Sequence, residues 1–160
     1  MRVVLGIDVG TADTGWGVIS ITESKMKLLG YGSIKTSSKL PMPTRLKQIH
    51  DELNALIQEY QPQEMAVESL FYFKNQKTVM TVSQGRGVIL LVGEEQHQQI
   101  FEYTPLQVKM GVTGYGRAEK KQVQQMVKLI MGLAEIPKPD DAADAIAIAI
   151  THINTHKSYM

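Results

Sequence analysis

The segment from Ala142 to Ile150 constrains the fold most strongly, because only Asp144 in it is charged and alanine alternates with isoleucine from Ala145 onward. A helix apolar on all sides has to be covered by other elements. We expect it to begin near Asp140 and to continue to about His156. Asp141 and Asp144, three residues apart, then project from one face about one turn apart. Asp144 leads into the apolar run and therefore borders the core. Acids in a first helical turn also favour the macrodipole and cap free amides, which is explanation enough for Asp140 beside Pro139.

The N-terminal part reads as sheet. Arg2 to Asp8 and Gly15 to Ile21 are β-rich runs joined by Gly10-Thr11-Ala12-Asp13-Thr14, a turn composition, so they form a hairpin. A third run from about Lys27 to Lys35 alternates only in part, as a strand near an edge does. After Pro41 and Pro43, Leu46, Ile49, Leu53, Leu56, Ile57 and Tyr60 describe one buried helix face, which Pro62 ends. Met65-Ala66-Val67 is then a short central strand with Glu68 at its end. A helix over Lys77 to Glu95, a strand near Ile100 to Tyr103 and a turn at Thr104-Pro105 follow. Gly111, Gly114 and Gly116 mark a loop, and Val123, Met126, Val127, Ile130 and Met131 an amphipathic helix that Ile136-Pro137-Lys138-Pro139 ends.

The length of 160 residues suits one domain whose core needs neither disulfides nor a structural metal. There are no cysteines, so disulfide frameworks, thiolate zinc and cysteine nucleophiles are excluded and any metal sits on oxygen or imidazole. The short apolar start predicts neither a signal peptide nor a membrane span, and the expected location is cytoplasmic. A net charge of +1 gives no global attraction to nucleic acid; binding would have to come from local basic patches.

Asp8 ends the first strand and Glu68 the fourth. Singly each has an ordinary explanation, as a turn former or a solvated strand end. If the strands and the last helix are neighbours, Asp8, Glu68, Asp141 and Asp144 gather at one end of the sheet. Clustered carboxylates raise one another's pKa unless a cation neutralises them. Magnesium suits an all-oxygen site, and two ions about 4 Å apart can activate water and stabilise the leaving oxygen in phosphodiester hydrolysis.

The ordered motifs Gly6-Ile7-Asp8-Val9-Gly10 with Thr14-Gly15-Trp16-Gly17, Ala66-Val67-Glu68-Ser69-Leu70-Phe71 with Lys74-Asn75, Gln84-Gly85-Arg86-Gly87, Gln107-Val108-Lys109, Gly114 to Lys120, and Asp141-Ala142-Ala143-Asp144-Ala145 carry a resemblance. The chain resembles the RuvC family of Holliday-junction resolvases over nearly its whole length. The resemblance implies an α/β, RNase H-like fold: a central five-stranded mixed sheet flanked by helices. It further implies Asp8, Glu68, Asp141 and Asp144 as ligands of two magnesium ions, with manganese a substitute, and a homodimer that nicks two strands of like polarity across a four-way DNA junction. Cooperation with a branch-migration motor complex is expected by the same analogy. Val9 stands where the family often has proline, and Asp13 lies in a turn that often carries a basic residue.

Lys109, Arg117, Lys120, Lys121 and Lys128 form a basic stretch with Glu119 as its acid. The resemblance puts Lys109 and Lys120 closest to the scissile phosphate, where a cation offsets transition-state charge. Gly114 and Gly116 would let backbone amides approach phosphates, and turn chemistry explains the two glycines equally well. The resemblance makes Phe71, amid Lys74 and Lys77, the residue inserted at the junction centre, and Lys74, Arg86, Arg117 and Lys121 are expected to contact DNA. The helix over Lys77 to Glu95 presents small residues that suit packing on its own sheet equally with the dimer contact that the resemblance implies. His152 and His156, four apart, lack the glutamate of a metalloprotease motif and are read as C-terminal dipole partners. The rival reading is a non-cleaving junction-binding protein; an actin-like or sugar-kinase-like phosphotransferase would need a second phosphate-binding half.

Overall fold

The computed structural model describes residues 1–69 and 76–157. Strands β1 (Arg2–Asp8), β2 (Asp13–Thr22) and β3 (Lys25–Lys35) are followed by α1 (Met42–Tyr60), β4 (Glu64–Glu68), α2 (Gln76–Glu95), β5 (Gln99–Tyr103), α3 (Pro105–Thr113), α4 (Lys120–Met131) and α5 (Asp140–Thr155). The sheet runs β3-β2-β1-β4-β5. The β1–β2 and β2–β3 pairs are antiparallel, and β1–β4 and β4–β5 are parallel. This is the five-stranded mixed sheet expected, with β3 at an edge.

Strand alternation separates two cores. Val3, Leu5 and Ile7 of β1 join Ile49, Leu53 and Ile57 of α1 and Ile89 and Val92 of α2 on one face. Val4 and Ala66 join α3, α4 and the alanine-isoleucine run of α5 on the other. The central position of α5 explains its composition: Ala142, Ala143 and every residue from Ala145 to Ile153 are buried.

Three readings need correction. Residues Pro105–Thr113 are helix, not a turn and loop. Thr104 caps it through the Gln107 amide, and Gln107 returns a bond to the Thr104 amide, a capping box that Pro105 at the first position reinforces. Gly111 lies within α3 because a Cβ there would meet the Thr151 side chain at 2.6 Å. Helix α4 ends at Gly132, in the left-handed region with φ 64°, before the prolines are reached. In α1, the buried face includes Arg45 with Ile49, Leu53 and Ile57, whereas Leu46 is only partly buried.

Candidate active site

Two missing side chains bring the last helix onto the sheet. Gly6 and Gly15 sit on the α5 face of β1 and β2. A Cβ on Gly6 would lie 2.1 Å from the Ala145 carbonyl oxygen, and one on Gly15 would lie 2.0 Å from that of Asp141. Only glycine allows backbone this close. Gly15 pairs across the ladder with Asp8, so the first turn of α5 is set directly beside the end of β1. Glu68 ends the adjacent strand on the same face as Ala66.

The consequence is a carboxylate cluster. Asp8, Asp141 and Asp144 each present an oxygen within 4.8 Å of the others, and Asp8 shares a side-chain hydrogen bond with Glu68. Burial first, then the Glu68 hydrogen bond and the charges of Glu68, Asp144 and Asp141, push the Asp8 pKa from 3.8 up to about 10. Burial also raises Asp144, against the opposing pull of Lys120. Such a group of oxygens is unfavourable alone and fits hard divalent cations, which accept carboxylate oxygen as ligand.

The cluster divides two clefts, with Glu68 and Pro105 lining both. One, of about 450 Å³, carries Lys109, Arg117 and Lys120 opposite Glu68 and Asp144. Lys120 Nζ is 3.4 Å from Asp144 and 3.8 Å from Asp140. Burial alone would lower the Lys120 pKa; Asp144 and Asp140 turn the net shift upward, and the amine is charged. The other cleft, of about 630 Å³, is lined by Asp8, Glu68, Ser69 and Asp141 together with Thr11, Asp13 and Arg45.

The remaining expected contacts are dispersed. Gly114, with φ 72°, caps α3, and Gly116 packs near Leu106 and Met110. Lys121 lines a separate groove on α4 beside Tyr115. Arg86 is engaged in an ion pair with Glu102 of β5. Asp13 pairs with Lys35 at 2.7 Å. Phe71 and Lys74 lie outside the described residues. His152 is not a surface dipole partner: it is wholly buried, bonded to Glu64 and to the Tyr103 hydroxyl at 2.6 Å, at the far end of α5 from the acids. Sequence reading missed Arg45 and Ser69. The signal for Arg45 was its register, since 45, 49, 53 and 57 recur every four residues on the buried face; Ser69 carried none.

A five-stranded RNase H-like sheet with acids at the ends of β1 and β4 and on the helix that crosses it defines a class, the RNase H-like nucleases. The model of the family described as crossover junction endodeoxyribonuclease RuvC matches residues 4–152. This chain belongs to that family. It is 55% identical over 152 residues to the RuvC of Fusobacterium nucleatum, covering 95% of this chain and 80% of the relative. With the RuvC of Syntrophomonas wolfei it shares 54% over 154 residues, 96% and 90% of the two chains. Among solved structures, Thermus thermophilus RuvC in complex with a Holliday junction substrate superposes with a TM-score of 0.94 at 34% identity, over 98% of this chain and 96% of that one. The yeast mitochondrial Holliday junction resolvase, at 16% identity, 94% and 77% coverage and TM-score 0.69, shares the fold.

Proposed function

We propose that this chain resolves four-way DNA junctions by metal-dependent phosphodiester hydrolysis, with Asp8, Glu68, Asp141 and Asp144 holding two divalent ions, magnesium in the cell and manganese as a substitute. The observation that carries this reading is the meeting of Asp8, Asp141 and Asp144 within 4.8 Å beside a cleft lined by cations. The family membership and the junction-bound relative support it. Bound divalent ions supply the Lewis acidity that activates water and stabilises the departing oxygen.

The chain's own groups do the rest. Lys120, held charged by Asp144, and Lys109 across the same cleft offset negative charge on the phosphate being cut. Arg117 adds attraction for the backbone, and Gly114, Gly116 and Lys121 add contacts outside that cleft, Lys121 in a groove of its own on α4. The acids hold the scissile region between the two clefts.

Symmetric cutting calls for two sites, and a twofold homodimer supplies them. The exposed face of α2, with Met80, Gly87 and Leu91 turned outward, supports that assembly. Among the described residues no helix is long and apolar enough to cross a membrane. Action on chromosomal DNA as a single domain in the cytoplasm, alongside a branch-migration motor complex, completes the reading.

The direct test incubates purified protein with a labelled synthetic four-way junction, beside a linear duplex of the same sequence, in magnesium. Cleavage confined to the junction is the expected result. Tight junction binding with no cleavage in magnesium or manganese would replace this reading with that of a binding protein.

A further inference from the structure

Arg45 is a buried cation whose carboxylate partner is missing. The residue is 8% exposed, and among the described residues no Asp or Glu forms an ion pair with it. Burying a guanidinium without a counter-charge is costly. Among the described residues its one side-chain hydrogen bond is from Nε to the Thr36 hydroxyl at 2.9 Å, and Thr36 in turn donates to the Thr11 carbonyl at 2.6 Å. The Thr36 proton is thereby committed to Thr11, so its oxygen can only accept from Arg45. That fixes the plane of the guanidinium. The four N–H donors on the two Nη nitrogens make no hydrogen bond to the described residues.

Ser69 gives an independent sign at the same place. It is 6% exposed, and among the described residues its Oγ has no hydrogen-bond partner. Buried hydroxyls are normally satisfied, and an orphan one facing a cleft is a group that a bound water, ion or ligand would complete. Ser69 and Arg45 line the same cleft, together with Asp8, Glu68 and Asp141. The cleft, at about 630 Å³, has room for more than one phosphate unit.

We propose that Arg45 and Ser69 form a seat for a DNA backbone phosphate flanking the one that is cut, with Arg45 binding it through its free guanidinium edge and Ser69 through its hydroxyl. The inference rests on the junction-cleaving reading above. Guanidinium presents paired N–H donors that match phosphate oxygens. The occupied seat supplies Arg45 with its missing counter-charge and Ser69 with its missing acceptor. The strand then lies across the carboxylates between this seat and the cations of the second cleft. Arg45 touches a non-reacting phosphate and so acts as a positioning residue.

The test measures junction binding in calcium, with cleavage in magnesium alongside, for the wild-type chain and Arg45→Gln. One neutral methylphosphonate is placed in turn at each phosphate around the cut. For the wild type, one flanking position should cost about tenfold in affinity. That position should cost Arg45→Gln nothing. The slope of log affinity against log salt should fall by about 0.9 in the variant, one phosphate contact. A uniform loss over all positions with an unchanged slope would overturn the seat, leaving Arg45 as a packing residue. Should Arg45→Gln fail to fold, Arg45→Lys takes its place: it keeps charge but loses the planar edge, and the penalty at the same position should shrink. An unchanged penalty there would refute the proposal. If the wild type itself does not cut the junction, it is the functional reading that fails.

Discussion

The Cβ that Gly15 lacks would sit 2.0 Å from the Asp141 carbonyl oxygen. This contact sets how near α5 lies to the end of β1, and so how near Asp141 and Asp144 come to Asp8. Gly15→Ala should force the first turn of α5 outward. The expected cost is about 1–3 kcal/mol of stability, with a fall of about tenfold in metal affinity. Thermal melting with and without manganese reads both, and an unchanged metal-induced shift would show that the close approach does not set the cluster.

Asp8 predicts an unusual pH dependence in the metal-free protein. Its folded pKa, about 10, is above the ordinary 3.8, so the folded chain keeps a proton that the unfolded chain releases. The stability this contributes is fully present below pH 3.8 and is lost as pH rises toward about 10. Asp8→Asn mimics the protonated form and should melt higher than wild type at pH 8 without metal, while cutting at least about a hundredfold more slowly. Metal binding must displace the proton that Asp8 keeps. Calorimetric titration in buffers of different ionisation enthalpy should record proton release in the wild type and a smaller release in Asp8→Asn.

Lys120 bridges the acids and the cation-lined cleft through Asp144 at 3.4 Å. Lys120→Ala should lower the single-turnover cleavage rate about 10²-fold, with a much smaller change in junction affinity. Equal losses in both would assign it to binding alone.

The far end of the sheet carries a separate buried network. Arg2 donates to Glu64 through Nε at 2.8 Å and through Nη2 at 2.6 Å, and His152 bonds the same carboxylate. Burial alone would raise Glu64, but its bonds from Arg2 and His152 outweigh that and hold it below 4.5. Burial keeps His152 below 6.5. Both groups bind fewer protons folded than unfolded, so their contribution is lost as pH falls, first through the histidine range and then through the carboxylate range. Glu64→Ala leaves Arg2 with the His156 carbonyl but without its carboxylate and should cost about 1.5–3 kcal/mol, while cleavage per folded molecule stays unchanged. A parallel loss of cleavage would tie this network to the site.

Most of the strands and longer helices were legible from an apolar period bounded by turn residues or proline, although β3 alternates only in part. The four acids were legible as strand-end and helix-start positions, and the order of the motifs around them set the family. Helix α3 was not, since Gly111 and the short apolar stretch of Val108 and Val112 resemble a loop until Thr151 is seen to demand a glycine. Arg45 was passed over because its burial depends on Thr36 and Thr11, distant in sequence. Arg86 reads as a free basic residue until β5 brings Glu102 to it.

Mapping the nicks on a four-way junction labelled in each strand, for wild type and Asp8→Asn in parallel, tests the central claim most directly. The expected result is paired nicks at symmetry-related positions on two strands of like polarity, absent from a variant that still binds the junction. Nicks of equal yield in the variant, or bound junction left intact by the wild type, would contradict it.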